Sequence, residues 1–173
     1  VLFSQMGLGL GLGLVSMYFC FKIDYKFWRR YSFLIFLSSI LLTASVFVPY
    51  LGWSHGGAQR WVQLGSFSFQ PVEILKFGFI IYFANVLSFV KNKTHDFKIG
   101  ILPFIIMLGL IAVILLKQPD TKSFILITVT GIGMLFISGV SLKYIFGIGF
   151  AGVLLLGTLV FFTPYLQERV KTF

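Results

Sequence analysis

The sequence predicts an all-α fold, a polytopic transmembrane helix bundle, and three observations carry that expectation. Of the 173 residues, 58% are hydrophobic and 11% charged, with a mean hydropathy of +0.97, too little polar surface to cover a core in water. The apolar residues fall into six runs, 2–21, 31–50, 72–90, 99–116, 123–140 and 144–162. Each is about 18 to 20 residues, enough for a helix to cross a hydrocarbon core of about 30 Å. The basic residues alternate between the connections: Lys22, Lys26, Arg29 and Arg30, then Lys91, Lys93 and Lys98, then Lys143 on one side, against Arg60, Lys117, Lys122, Arg169 and Lys171 on the other. Eight charges against five mark the first side as cytoplasmic. Helices are expected in place of a barrel because the runs are continuous and a spanning helix satisfies its own backbone.

The first run lacks a basic flank before it and a small-residue cleavage site after it, where Lys22 and Asp24 stand, so it reads as a span and not a signal peptide. Within it Gly7 with Gly11, and Gly9 with Gly13, form small-xxx-small pairs that admit close approach of another helix. No strand precedes these glycines and no P-loop lysine follows, so a phosphate cradle is not indicated. After the second run comes the outer connection, 51–71, in which Gly57, Gly65 and the Ser66-Phe67-Ser68-Phe69 alternation suggest a folded loop with a short extended or re-entrant piece. Pro71 suits the first turn of the third helix, with Glu73 beside the positive end of its dipole and Lys76 at i+3 on the same face. The fourth and fifth runs are joined by a tight turn at Gln118-Pro119-Asp120, and Gly131 and Gly133 in the fifth again read as packing positions. A single apolar-embedded cysteine, Cys20, excludes an intrachain disulfide, and His55 and His95 fall on opposite sides, so no metal pair is expected from them. The chain begins without Met, in apolar sequence, and ends just after a span at Phe173, which suggests a segment of a longer protein.

The polar residues that stand out are Arg60, Trp61, Glu73, Lys76 and Asp120. Arg60 and Trp61 admit two readings: an interfacial anchor on lipid headgroups, or a guanidinium holding a pyrophosphate while the indole packs on a sugar or isoprenoid chain. Glu73 and Lys76 are either a local ion pair at a helix start or, being costly inside a bilayer, part of the wall of a polar cavity. Asp120 either caps the fifth helix or orients a sugar hydroxyl, binds a divalent cation or steadies a cationic loop. A net charge of +9 raises nucleic acid as a partner, but the cations are spread among loops with no binding module, so none is expected.

Gly57-Ala58-Gln59-Arg60-Trp61, Phe69-Gln70-Pro71-Val72-Glu73 with Lys76, and Gln118-Pro119-Asp120 together resemble the signature of the SEDS family (FtsW/RodA/SpoVE), peptidoglycan glycosyltransferases of bacteria. The chain departs from that pattern at Gln59, where Arg is usual, at Val72, where Ser is usual, and at Lys122, where Gly is common. The resemblance implies that the six runs are the second to seventh of about ten helices. It implies a polymerase that joins lipid II by inverting glycosyl transfer in division or elongation, with a class B penicillin-binding protein and other divisome or elongasome membrane proteins as partners. It further implies a multi-pass protein of the cytoplasmic membrane, with 51–71 and 117–122 on the outer side and a divalent cation (Mg2+ or Mn2+) as helper. Arg60, Trp61, Glu73, Lys76 and Asp120 would line the substrate cavity. The family's essential Asp lies beyond Phe173, so the catalytic base is unassigned here and the segment by itself is expected to be inactive. Two other classes are open: a lipid II flippase, which would use the same cavity and charges but for which no inverted repeat is visible in these runs, and a non-catalytic membrane subunit, in which Arg60, Glu73 and Asp120 would tolerate substitution.

Overall fold

The computed structural model describes residues 2–48, 52–55, 58–64, 67–90 and 100–162. Expectations placed on Gly57, Gly65, Ser66, Lys91, Lys93, His95, Lys98 and residues 163–173 lie outside the described residues, as do the surroundings of Gly7 and Gly9. Six helices are described: α1 (Leu2–Lys22), α2 (Tyr25–Ala44, extended by a 3-10 turn over Ser45–Phe47), α3 (Pro71–Val90), α4 (Leu102–Lys117), α5 (Thr121–Ile137) and α6 (Leu142–Phe162). Between α2 and α3 lies a three-stranded sheet of β1 (Gly52–His55), β2 (Ala58–Leu64) and β3 (Phe67–Phe69). Among the described residues, Tyr25–Phe47 and Pro71–Phe89 are long and apolar enough to cross a membrane, while α4 and α5 are shorter, at 16 and 17 residues.

The chain divides into two units, residues 1–55 with 59–85, and 56–58 with 86–173. In the first unit α2 and α3 run antiparallel along a seam of small and polar residues. Ser32, Phe36, Ser39, Ile40 and Thr43 form the buried stripe of α2, at the spacing expected of one helical face. Its hydroxyls are satisfied locally: Ser32 donates to Arg29 O at 3.0 Å, Ser39 to Phe36 O at 2.7 Å and Thr43 to Ser39 O at 2.7 Å. In lipid there is no water to take these bonds, so a hydroxyl that bonds its own preceding turn can be buried cheaply. From α3 the Asn85 amide donates to Ser32 Oγ at 2.8 Å, joining the two helices. One and a half to two turns along, Gly78 lets the backbones close: a Cβ there would sit 2.6 Å from Ser39 Oγ and 3.3 Å from both Ile35 O and Phe36 Cα.

In the second unit α4 and α5 form a hairpin. Phe104, Met107, Ile111 and Leu115 are buried on α4, and Ser123, Phe124, Ile127, Gly131 and Leu135 on α5. A Cβ on Gly131 would fall on the edge of the Phe104 ring, which is the packing role expected of that glycine. Gly133, Gly11 and Gly13 differ: nothing lies within 4 Å of a Cβ built on any of them, so among the described glycines the close approaches are at Gly78 and Gly131.

Several boundaries depart from the apolar runs, each for a local reason. The second helix begins at Tyr25 and not 31, because Asp24 accepts from Lys26 N at 3.1 Å and caps it, drawing the basic residues into the helix. It gives way at Val48, which is extended and precedes Pro49, a residue pair that disfavours helix. The fifth helix stops at Ile137 and not 140 because Gly139, at φ +82°, takes the left-handed position of a Schellman end, with Val140 N bonded to Leu135 O at 3.2 Å.

Candidate functional site

The loop between α2 and α3 positions the first two candidates on a strand. β2 and β3 pair antiparallel in the register Val62 with Phe69, Gln63 with Ser68 and Leu64 with Phe67, so β2 is held on both sides as the central strand. Arg60 and Trp61 are consecutive on it and therefore leave opposite faces of the sheet. Their exposure follows that alternation: Val62 is buried, Trp61 is 38% exposed and Arg60 is half-buried. A single small ligand on one face cannot meet both side chains. Arg60 presents a planar donor fork suited to a phosphate or carboxylate from the Val62 face. Trp61 offers a ring to whatever lies against the other face, a lipid headgroup layer or a sugar plane. The short extended piece expected near 66–69 is β3; β1 and β2 had no counterpart among the expected elements.

Immediately after β3, α3 opens at Pro71, with Glu73 N bonded to Gln70 O at 3.1 Å. Lys76 Nζ and Glu73 Oε2 are 2.7 Å apart, so the ion pair expected at i+3 is formed. The lysine side chain is 21% exposed and the carboxylate 60% exposed, so within this chain the ammonium is the more enclosed partner and the carboxylate looks outward. Exposed to water, a pair of this kind contributes about 0.2–1 kcal/mol to stability.

Asp120 belongs to the second unit, in the turn of the α4–α5 hairpin. Asp120 N closes the end of α4 by bonding Leu115 O at 2.9 Å, while one carboxylate oxygen accepts from Ser123 N at 3.4 Å and caps α5. Asp120 and Gln118 are both buried, 3% and 2% exposed. The capping reading of Asp120 is thus realised, and it gives an expectation for stability. Asp120→Ala should lower it by about 1 kcal/mol, whereas Asp120→Asn, an equally good cap, should leave it nearly unchanged. Thermal unfolding of the two variants in detergent checks this; an equal fall in both would show that the charge and not the cap matters.

Among the described residues no three His, Cys, Asp or Glu side chains come together to hold a metal ion, and Glu73 and Asp120 are already engaged as described. The residues here do not form a protein-only metal centre, and no step below passes through one. Of the five candidates, then, Glu73 and Lys76 touch, Arg60 and Trp61 share a strand but not a face, and Asp120 stands at a helix cap.

The comparisons with known proteins agree with this architecture. The sequence model of the cell cycle protein family FtsW/RodA/SpoVE matches residues 1–173. The probable peptidoglycan glycosyltransferase FtsW of Geobacter sulfurreducens (strain ATCC 51573) is 35% identical over 166 residues, covering 96% of this chain and 43% of that protein. Its namesake from Polynucleobacter necessarius subsp. necessarius is 32% identical over 169 residues, covering 98% and 39%. The chain therefore spans less than half the length of these curated relatives. Among solved structures, a chain from a peptidoglycan synthase complex that coordinates polymerization and crosslinking superimposes with a TM-score of 0.78 at 25% identity, over 96% of this chain and 48% of that one. The rod shape determining protein RodA of Thermus thermophilus shares the fold, with a TM-score of 0.72 at 24% identity over 87% and 49%.

Proposed function

Because the chain belongs to the FtsW/RodA/SpoVE family of cell cycle proteins, we propose that its full-length parent is a peptidoglycan glycosyltransferase that polymerises glycan strands from lipid II. The observation that carries this reading is Arg60, half-buried on the central strand of the loop sheet just ahead of the Pro71 helix start, in a chain whose relatives are named glycosyltransferases. In the proposed reaction the 4-hydroxyl of one lipid-linked disaccharide attacks the anomeric carbon of a growing strand, and the lipid pyrophosphate departs. Negative charge grows on the leaving pyrophosphate, so a pre-positioned guanidinium lowers the barrier by binding it more tightly in the transition state than in the ground state. Arg60 takes that role; Lys76, the more enclosed partner of its ion pair, adds positive potential. The base that accepts the hydroxyl proton is assigned outside this segment, since Asp120 is engaged as a helix cap. A divalent cation, if carried by the lipid pyrophosphate, would supply further positive charge there; none of the described residues is assigned to hold it.

The parent is placed in the bacterial cytoplasmic membrane, with the β1–β3 loop and the Gln118–Asp120 turn on the outer side; the charge bias of the connections supports this. A class B penicillin-binding protein is the proposed partner, in keeping with the synthase complex whose chain shares this fold. The test is glycan synthesis from labelled lipid II by the purified full-length parent with that partner. Strands are the expected product. Absence of strands together with transfer of lipid II across liposome membranes would replace this reading with a flippase.

A further inference from the structure

We propose that the α1–α2 elbow is a binding site for the headgroup of an anionic phospholipid, separate from the residues assigned to glycosyl transfer. The elbow is the short connection between Lys22, the last residue of α1, and Tyr25, the first of α2. Four cations, Lys22, Lys26, Arg29 and Arg30, fall within nine residues of it, and all four are exposed. The acidic residue among them, Asp24, has its carboxylate turned onto the backbone N–H of Lys26, where it caps α2. It is thereby drawn to the helix end, and the band carries a net charge of +3 from these four cations and one carboxylate.

Aromatic rings surround the same band. Lys22 Nζ lies 5.3 Å from the centroid of Tyr18 and Arg30 Cζ lies 5.9 Å from that of Tyr31, so each ring steadies its neighbouring cation. Tyr25 is 69% exposed and Phe27 47% exposed, with Phe27 tilted against Tyr31 at 4.7 Å. The amphipathic rings of Tyr18, Tyr25 and Tyr31 are of the kind that settles at the headgroup level of a bilayer. Directly beyond them α2 turns apolar, with Phe33, Leu34, Leu37 and Leu41 exposed, the surface a hydrocarbon layer would cover. A phosphate that meets the band is therefore one carried on a lipid. The excess of positive charge selects anionic over zwitterionic headgroups, and its spread over two helix ends suits a headgroup with two phosphates better than one with a single phosphate.

The test uses the full-length parent in a neutral detergent, titrated with cardiolipin, with phosphatidylglycerol or with phosphatidylcholine, and reads the thermal unfolding midpoint. Cardiolipin should raise the midpoint most and phosphatidylcholine least, with the cardiolipin effect shrinking as sodium chloride is added. In Lys26→Gln/Arg30→Gln the apparent affinity for cardiolipin should fall about 25-fold, about fivefold for each cation removed. The variant's midpoint in phosphatidylcholine, unchanged from the parent's, shows that it is folded. Neutralising Lys117 and Lys143 together should leave the cardiolipin shift in place. An equal shift with phosphatidylcholine, or a cardiolipin shift that survives in the Lys26→Gln/Arg30→Gln variant, overturns the proposal whatever the result of the glycan assay.

Discussion

Gly78→Leu is expected to destabilise the α2–α3 pair by about 3 kcal/mol, the upper end of what overpacking a close-packed interior costs. Gly78 faces Ser39 Oγ at 2.6 Å, and two backbone atoms of α2, Ile35 O and Phe36 Cα, at 3.3 Å from where a Cβ would stand. The hydroxyl can turn away, though only by giving up its 2.7 Å bond to Phe36 O in a site where Ser39 is buried. The backbone atoms can move only if the helices separate. Separation would in turn stretch the Asn85 to Ser32 bond, which is 2.8 Å long. Gly78→Ala should cost less, about 1 kcal/mol, because better helix propensity offsets part of the clash. Ser39→Ala removes the nearest obstructing atom and should recover much of the Gly78→Ala loss but little of the Gly78→Leu loss. Unfolding midpoints of the parent, the three single variants and the two doubles in detergent measure this as a pair of double-mutant cycles. A Gly78→Ala loss untouched by Ser39→Ala would show that the contact with Ser39 is not what fixes the glycine.

That seam also shows where the sequence was legible and where it was not. Hydropathy located α1, α3, α4, α5 and α6 to within three residues at each end, since burying apolar surface in lipid is what those runs are for. It misplaced the start of α2 by six residues, because a helix start is decided by the Asp24 cap and not by where apolar residues begin. Of the sheet between α2 and α3, β1 and β2 escaped because the strands are seven residues or fewer, too short for a periodic signal, in a stretch broken by glycines. The seam had a readable sign: Ser32 and Ser39 are seven residues apart, and so are Gly78 and Asn85. A seven-residue spacing of small and polar residues on two spans is the pattern of helices crossing at a shallow angle, and antiparallel pairing then joins Ser32 to Asn85 and Ser39 to Gly78. Among the site residues, the Glu73 and Lys76 ion pair and the Asp120 cap were each one of the two readings that the spacing offered. The separation of Arg60 from Trp61 did not, because adjacent residues share a neighbourhood in a loop but not on a strand.

Arg60→Ala is expected to lower the rate of glycan strand formation by the full-length parent about 100-fold, the effect typical of losing one donor that stabilises charge developing in a transition state. The strand geometry sharpens that expectation. With Val62 buried on the Arg60 side of β2 and Trp61 exposed on the other, the guanidinium is the member of the pair set on the inward face. The backbone of a central strand also fixes its Cα, so little ordering is left to do when substrate binds. Arg60→Lys keeps the charge but loses the two-pronged fork, and should recover only about a tenth of the parent's rate. Trp61→Ala removes a ring from the opposite face. It should raise the lipid II concentration needed for half-maximal rate while leaving the maximal rate within about threefold, as expected when uniform binding and not transition-state binding is lost. The assay is strand synthesis from labelled lipid II as a function of concentration, on variants whose unfolding midpoints match the parent's. Parent-like synthesis by Arg60→Ala would remove the guanidinium from the reaction. A maximal rate that falls as far in Trp61→Ala as in Arg60→Ala would mean that both faces of the sheet act on the reacting centre, which consecutive residues on one strand do not permit without rearrangement of the loop.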